Sequence, residues 1–163
     1  MSQSQALLER AHKGLQLHIS GHHSQAKEHL LQLWEELSSG RDPLIRCTVA
    51  HYMANLQGGD TEASLGWNKA ALSEIQRLAD PNGLDPAIGV SPKDVYPSLY
   101  LNLAEDYRRL GELLDARAYL DRSRQALEEL DPYRRQAGVS EAIKGVERRI
   151  QETGQESRLN GED

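Results

Sequence analysis

The side chains best suited to chemistry are clustered near the start of the chain. The stretch "HISGHHSQAKEH", His18 to His29, holds four of the six histidines, and imidazoles serve as metal ligands and as proton carriers near neutral pH. His18 and His22 stand four apart, the spacing at which two rings on one helix face can pinch a metal ion. A zinc or nickel site, however, needs three or four ligands converging on one point. Gly21 falls between those two histidines and marks a turn, His29 follows more than a helical turn later, and no cysteine accompanies them. The stretch therefore reads as the bend between two helices. A metal-responsive protein using the His12 to His29 cluster is a further alternative, but no metal and no cofactor is expected.

Catalytic patterns are missing. The chain has no Gly-rich phosphate loop, no GxSxG and no HExxH. Cys47, the single cysteine, stands among Ile45, Val49 and Ala50 and reads as a buried, inert thiol rather than a nucleophile. Glu105 and Arg109, one helical turn apart, suit a surface ion pair better than an acid/base pair. The expectation is a protein that is not an enzyme.

Charge and composition narrow the partners. A net charge of -6 argues against a nucleic-acid partner, because phosphate neutralisation needs a basic face, and even the Arg-rich second half carries more carboxylates than bases. One cysteine excludes an internal disulfide and a disulfide-stapled scaffold. The opening "MSQSQALLER" has no basic region followed by an apolar run, and no stretch approaches the roughly 18 apolar residues of a membrane span. A soluble, cytoplasmic protein with no membrane partner is expected. Aromatics make up 5% with no Phe, so the core must rest on Leu, Ala, Ile and Val, a mixture that favours helix.

The elements that position these residues follow from apolar residues at helical spacing, punctuated by Gly21, "SSGRDP", "QGGD", a Pro/Gly segment, Gly111 and "LDP". Helices are predicted over about 3–20, 24–37, 43–56, 60–78, 97–110 and 113–130. Asp42 and Pro43 supply the third with an N-cap and a first-turn proline. Residues 79–96, with three of the six prolines, form an insertion. It either covers a groove or acts as a functional loop, and "SPKD" within it is a short capped turn. A last helix carries Val139, Ile143, Val146 and Ile150 on one face and ends near 152, before a polar, disordered tail over 153–163.

One pair of helices then stands out. "YLNLAEDYRRLGELLDARAYL", Tyr100 to Leu120, resembles a unit of the tetratricopeptide repeat (TPR) family. Its large Tyr100, apolar Leu103, small Ala104, aromatic Tyr107, turn Gly111, small Ala116, large Leu120 and small Ser123 fall at that family's positions. The first pair follows the register with Gly14, Leu17, Gly21, Ala26, Leu30 and Leu33. The second follows it with Ala50, His51, Ala54, Gly58, Ala63, Trp67 and Ala70. Ala26 to Ala63 is 37 positions and Ala63 to Ala116 is 53, against a family period of roughly 34. "HYMANLQ" and "YPSLYLNLAEDYRRLG" resemble phrases in small bacterial TPR proteins.

The resemblance implies an all-α, right-handed stack of three hairpins, units about 3–39, 42–78 and 97–130, with a capping helix over 132–152 in one TPR-like domain, 1–152. It implies a non-enzymatic scaffold or adaptor that holds a protein or peptide, or a second copy of the chain, in a concave groove. A TPR-type sensor of a small molecule or signalling peptide is the alternative. Groove positions would be Tyr52, Asn55, Ser98, Asn102, Glu105, Arg108 and Arg109, with His12, His18, Thr48 and Leu101 beside them. The family's clamp for chaperone C-terminal carboxylates is not supported, because Ala11, Leu15, Val49, Ser98 and Asn102 stand where its Lys, Asn and Arg would be.

Overall fold

A computed structural model describes residues 2–37, 42–78 and 90–161. Among these residues there are seven α-helices, one 3-10 turn and no strand, so the all-helical class read from composition is the one the chain adopts. The helices are α1 (Gln3–Ile19), α2 (His23–Glu36), α3 (Pro43–Asn55), α4 (Thr61–Gln76), α5 (Pro92–Arg109), α6 (Leu113–Glu129) and α7 (Val139–Leu159), with the 3-10 turn at Pro132–Arg134. The chain divides into two compact units, Met1–Pro92 and Lys93–Asp163.

In the first unit α1 packs on α2, both pack on α3, and α3 packs on α4. Ala11, Leu30, Leu33, Leu37, Ile45, Val49 and Met53 form its core, with Trp34, Tyr52 and Trp67 leaning against it. Each fully buried Leu or Ile here contributes about 1.5–3 kcal/mol. Gly14 sets how closely α1 approaches α2, because a Cβ there would lie 2.5 Å from Cγ of the fully buried Leu30. Trp34 and Trp67 meet edge to face at 5.4 Å.

Arg46 ties three helices of this unit together. Its Nη1 donates to the Trp34 and Leu37 carbonyls at the end of α2, its guanidinium lies 3.7 Å above the Trp34 ring, and its Nε stands 3.0 Å from Glu74 Oε1 on α4. That last approach is off the N–H axis, so the bond to Glu74 is one of charge rather than a directed hydrogen bond. Asp42 occupies the α3 N-cap with Pro43 at N1, as expected. Its carboxylate makes no capping bond, and its main-chain carbonyl accepts from Arg46 N at 2.9 Å instead.

The second unit is built from α5, α6 and α7 around Ala104, Ala116, Leu120, Leu127, Val139, Ile143, Val146 and Ile150. Asp94 on α5 holds Arg134 through both carboxylate oxygens, Ser98 donates to Gln136 at 3.0 Å, and Arg135 closes the end of α6 by donating to the Leu130 and Glu128 carbonyls. The connection between α6 and α7 is thus tied down at both sides.

Three boundaries differ from the sequence reading, and the first is the capping helix expected from 132, where a 3-10 turn stands at Pro132–Arg134 and α7 opens only at Val139, after the left-handed Gly138. α5 starts at Pro92 rather than Pro97, so "SPKD" opens the helix and Pro97 lies inside it. Proline is at ease in a first turn, and Pro92 takes that place. Pro97 falls in the second turn, where its missing N–H removes one rung, and its buried carbonyl also accepts Ser123 Oγ at 2.7 Å. α7 continues past 152 to Leu159. Gly154 lies close to α6, where a Cβ would stand 3.4 Å from Arg117 Nη2 and 3.9 Å from Leu113. Of the Pro/Gly insertion, residues 79–89 lie outside the described residues.

The α1–α2 and α5–α6 turns close in the same way. Gly21 and Gly111 have φ of 85° and 80°, a left-handed conformation that a side chain would strain. Gly21 N donates to His18 O and His22 N to Leu17 O, while Gly111 N donates to Arg108 O and Glu112 N to Tyr107 O, all at 2.8–3.0 Å. This double closure satisfies the last helical carbonyls. At Gly58 (φ 60°) the turn differs, with Asp60 N donating to Gln57 O.

Candidate functional site

Ser98, Asn102, Glu105 and Arg109 follow at i, i+4, i+7 and i+11 along α5, which puts them on one stripe of the helix. Ser98 is engaged with Gln136. Glu105 is the centre of a charge cluster. Arg108 donates to both its oxygens, Nε to Oε2 and Nη2 to Oε1, each at 2.9 Å, and Arg109 Nε donates to Oε1 at 3.3 Å. From α7, Arg149 Nε stands 3.6 Å from Oε2, a contact of charge rather than a hydrogen bond.

Burial of Glu105 disfavours its charged form, but the Arg108 hydrogen bond and the charges of Arg108, Arg149 and Arg109 outweigh that cost and hold its pKa below the ordinary value. The same hydrogen bond raises Arg108 above its ordinary value. Arg109 and Arg149 keep about half their side-chain surface in water, at 50% and 42%, while Glu105 and Arg108 keep 19%.

The opposite edge of α5 carries an aromatic row that composition gave no reason to expect. Tyr96 stacks on Tyr100 at 5.3 Å, Tyr100 meets Tyr119 at 6.0 Å, and Tyr119 stacks on Tyr107 at 5.4 Å with an 8° interplanar angle. Arg122 lies over Tyr119. A hollow of about 310 Å³ is lined by Tyr96, Tyr100, Arg122, Gln125, Ala126 and Glu129. Burial raises the Tyr100 pKa, with Tyr119 and Glu129 adding to the shift and Arg122 opposing it.

The remaining candidates lie in the first unit. Tyr52 is half-buried with its ring 6.1 Å from His12, and burial raises its pKa. Asn55 is the exposed last residue of α3. Thr48 spends its hydroxyl on Leu44 O of its own helix. Cys47 is fully buried, and desolvation, with the charge of Glu74, pushes its thiol up to about 12.

The histidines do not converge. His18 and His23 pair through their Nδ1 atoms at 2.9 Å across the turn, His22 is exposed at the start of α2, and His29 Nε2 donates to the Arg10 carbonyl at 2.8 Å. Among the described residues no three His, Cys, Asp or Glu side chains are grouped to hold a metal ion, and no helix is long and apolar enough to cross a membrane.

Glu105 and Arg109 form the surface ion pair expected from their spacing, and Arg108 joins it. Sequence reasoning missed Arg149, which stands forty positions further on with no local periodicity to connect it. It also missed the tyrosine row, because Tyr119 comes from α6 and meets Tyr100 and Tyr107 only when the two helices pack. Comparison of the chain with family models, with curated proteins and with solved structures finds no match.

Proposed function

We propose that the chain is a non-enzymatic protein- or peptide-binding module of TPR type, whose α5 stripe forms part of the binding face. The observation that carries this reading is the correspondence of positions ninety apart. Gly14, Leu17, Gly21, Ala26, Leu30 and Leu33 recur as Ala104, Tyr107, Gly111, Ala116, Leu120 and Ser123. The two sets share the same glycine conformation and the same pair of turn hydrogen bonds, and Ala26, Ala104 and Ala116 are all fully buried. Small residues at matching places let two helix backbones approach, which is the packing logic of a helical repeat. The α3–α4 pair supports it less, with Ala63 only partly buried and a different turn at Gly58.

Stacked hairpins present one face of each leading helix, and α5 would present Ser98, Asn102, Glu105 and Arg109, with Arg108 beside them. Amide and guanidinium groups there suit the main-chain carbonyls of a bound segment. A cytoplasmic setting goes with this reading.

The test is affinity capture of partners from native lysate with the wild-type chain and with an Asn102→Ala/Arg109→Glu variant. Loss of specific partners with the variant is expected. If every captured partner survives the double change, α5 is not the binding face.

A further inference from the structure

We infer that the partner segment is acidic, and that Arg108, Arg109 and Arg149 receive its side-chain carboxylates. This rests on the binding-module reading above and adds the chemistry of the ligand. Three guanidinium groups meet one carboxylate at Glu105, at 2.9, 3.3 and 3.6 Å, leaving the cluster with an excess of positive charge in a chain whose net charge is -6. Three guanidinia also carry far more N–H donors than one carboxylate has lone pairs to accept.

The geometry says which donors remain. Arg108 gives Nε and one Nη to Glu105, whereas Arg109 and Arg149 face it with Nε alone, so the Nη groups of both are left for another acceptor. Glu105 thus acts as a positioning residue. It fixes the Nε edges of Arg108 and Arg109 by hydrogen bonds and draws Arg149 in by charge, which reduces the ordering needed when a second acid arrives. The half-exposed side chains of Arg109 and Arg149 keep those donors within reach of solvent. Extra positive charge with oriented, accessible donors is complementary to a run of Asp and Glu.

The experiment uses the full chain and two labelled peptides capped at both ends, one rich in Asp and Glu and the other its Asn/Gln counterpart. Fluorescence anisotropy measures binding, and the Nε–Hε signals of the arginines in a nitrogen–proton spectrum report the site. The acidic peptide is expected to bind at least about tenfold more tightly than the neutral one, a difference of about one charge-assisted hydrogen bond. Arg109→Gln and Arg149→Gln should each weaken it several-fold, Arg148→Gln, one position away on α7, should leave it unchanged, and added salt should weaken it.

Equal binding of both peptides overturns the acidic assignment and leaves the binding-module reading standing. Binding of neither overturns it too, and the capture experiment then decides the broader reading separately. If inorganic phosphate moves the Arg109 and Arg149 signals while the acidic peptide does not, the cluster is a site for free anions and the peptide is the wrong occupant.

Discussion

Arg46 in the first unit and Arg109 in the second both end on a glutamate, yet the surroundings give the two pairs opposite work. Arg46 and Glu74 keep 11% and 7% of their side-chain surface, and Arg46 gives Nη1 to the Trp34 and Leu37 carbonyls while its guanidinium lies over the Trp34 ring. Arg109 keeps 50% of its surface and reaches Glu105 with one nitrogen. A buried ion pair holds structure because neither charge can be left alone without a large desolvation cost. An exposed one stabilises little and remains available to a partner. The first unit uses guanidinium–carboxylate chemistry to lock α2, α3 and α4 together, and the second uses it to dress a surface.

The largest expected effect comes from breaking the buried pair. Arg46→Met leaves the buried Glu74 with only the half-exposed Arg77, 3.8 Å from its other oxygen, as a counter-charge and frees two carbonyls at the end of α2, at a cost of about 3 kcal/mol. Urea unfolding followed by circular dichroism measures it. Cys47 gives a local readout, because a buried thiol whose pKa is pushed up to about 12 reacts with a disulfide reagent near neutral pH only when the unit opens. Its labelling should be slow in the wild type and much faster in Arg46→Met. If stability and labelling both stay at wild-type values, the contrast between the two pairs fails.

A smaller effect separates the two matched hairpins. Gly14 and Ala104 occupy corresponding positions, but only Ala104 has room for its methyl group. Gly14→Ala would place a Cβ 2.5 Å from Leu30 Cγ, near the branch of that side chain rather than at its far end, so the backbones of α1 and α2 must part. Overpacking of this kind costs about 1–3 kcal/mol. Gly66→Ala on α4, with open space around its Cβ, should instead stabilise by about 0.5–1 kcal/mol through helix propensity. The same melts would show opposite shifts, and a neutral Gly14→Ala would mean that the α1–α2 spacing is not set by that glycine.

How much of this was readable from sequence depended on range. The double-glycine-turn pattern, the small residues and the Glu105–Arg109 pair are local, set by spacings of one to a few helical turns, and they were legible. Arg46 with Glu74 and Glu105 with Arg149 are joined only when helices pack, and nothing in linear spacing announces them. The start of α5 was misplaced because two prolines compete for one first turn, and helix propensity alone does not choose between Pro92 and Pro97. The end of α7 was missed because "QETGQESRL" has the composition of a tail, while its packing beside α6 is not written in linear spacing.

The smallest effect is the one that most sharpens the comparison. Glu105 has a pKa held below its ordinary value in the folded chain, so its ionised form favours folding. That contribution is fully present above the unfolded-state pKa of about 4.3 and is lost as pH falls through the lower folded-state value, where the carboxyl takes up a proton in both states. With Glu105 and its arginines in partial contact with water, the stabilisation is expected to be small, about 0.2–1 kcal/mol, and to shrink further in salt. Glu105→Gln should therefore lower stability slightly at pH 7 and converge with the wild type once pH has fallen below the depressed folded-state value, while Arg109→Gln should leave the melt within about 0.5 kcal/mol at every pH. A surface cluster kept for binding predicts this near-silence in folding together with a clear loss of acidic-peptide affinity. If Arg109→Gln instead destabilises the fold as Arg46→Met does, the second cluster is a structural lock like the first, and the division of labour between the two units does not exist.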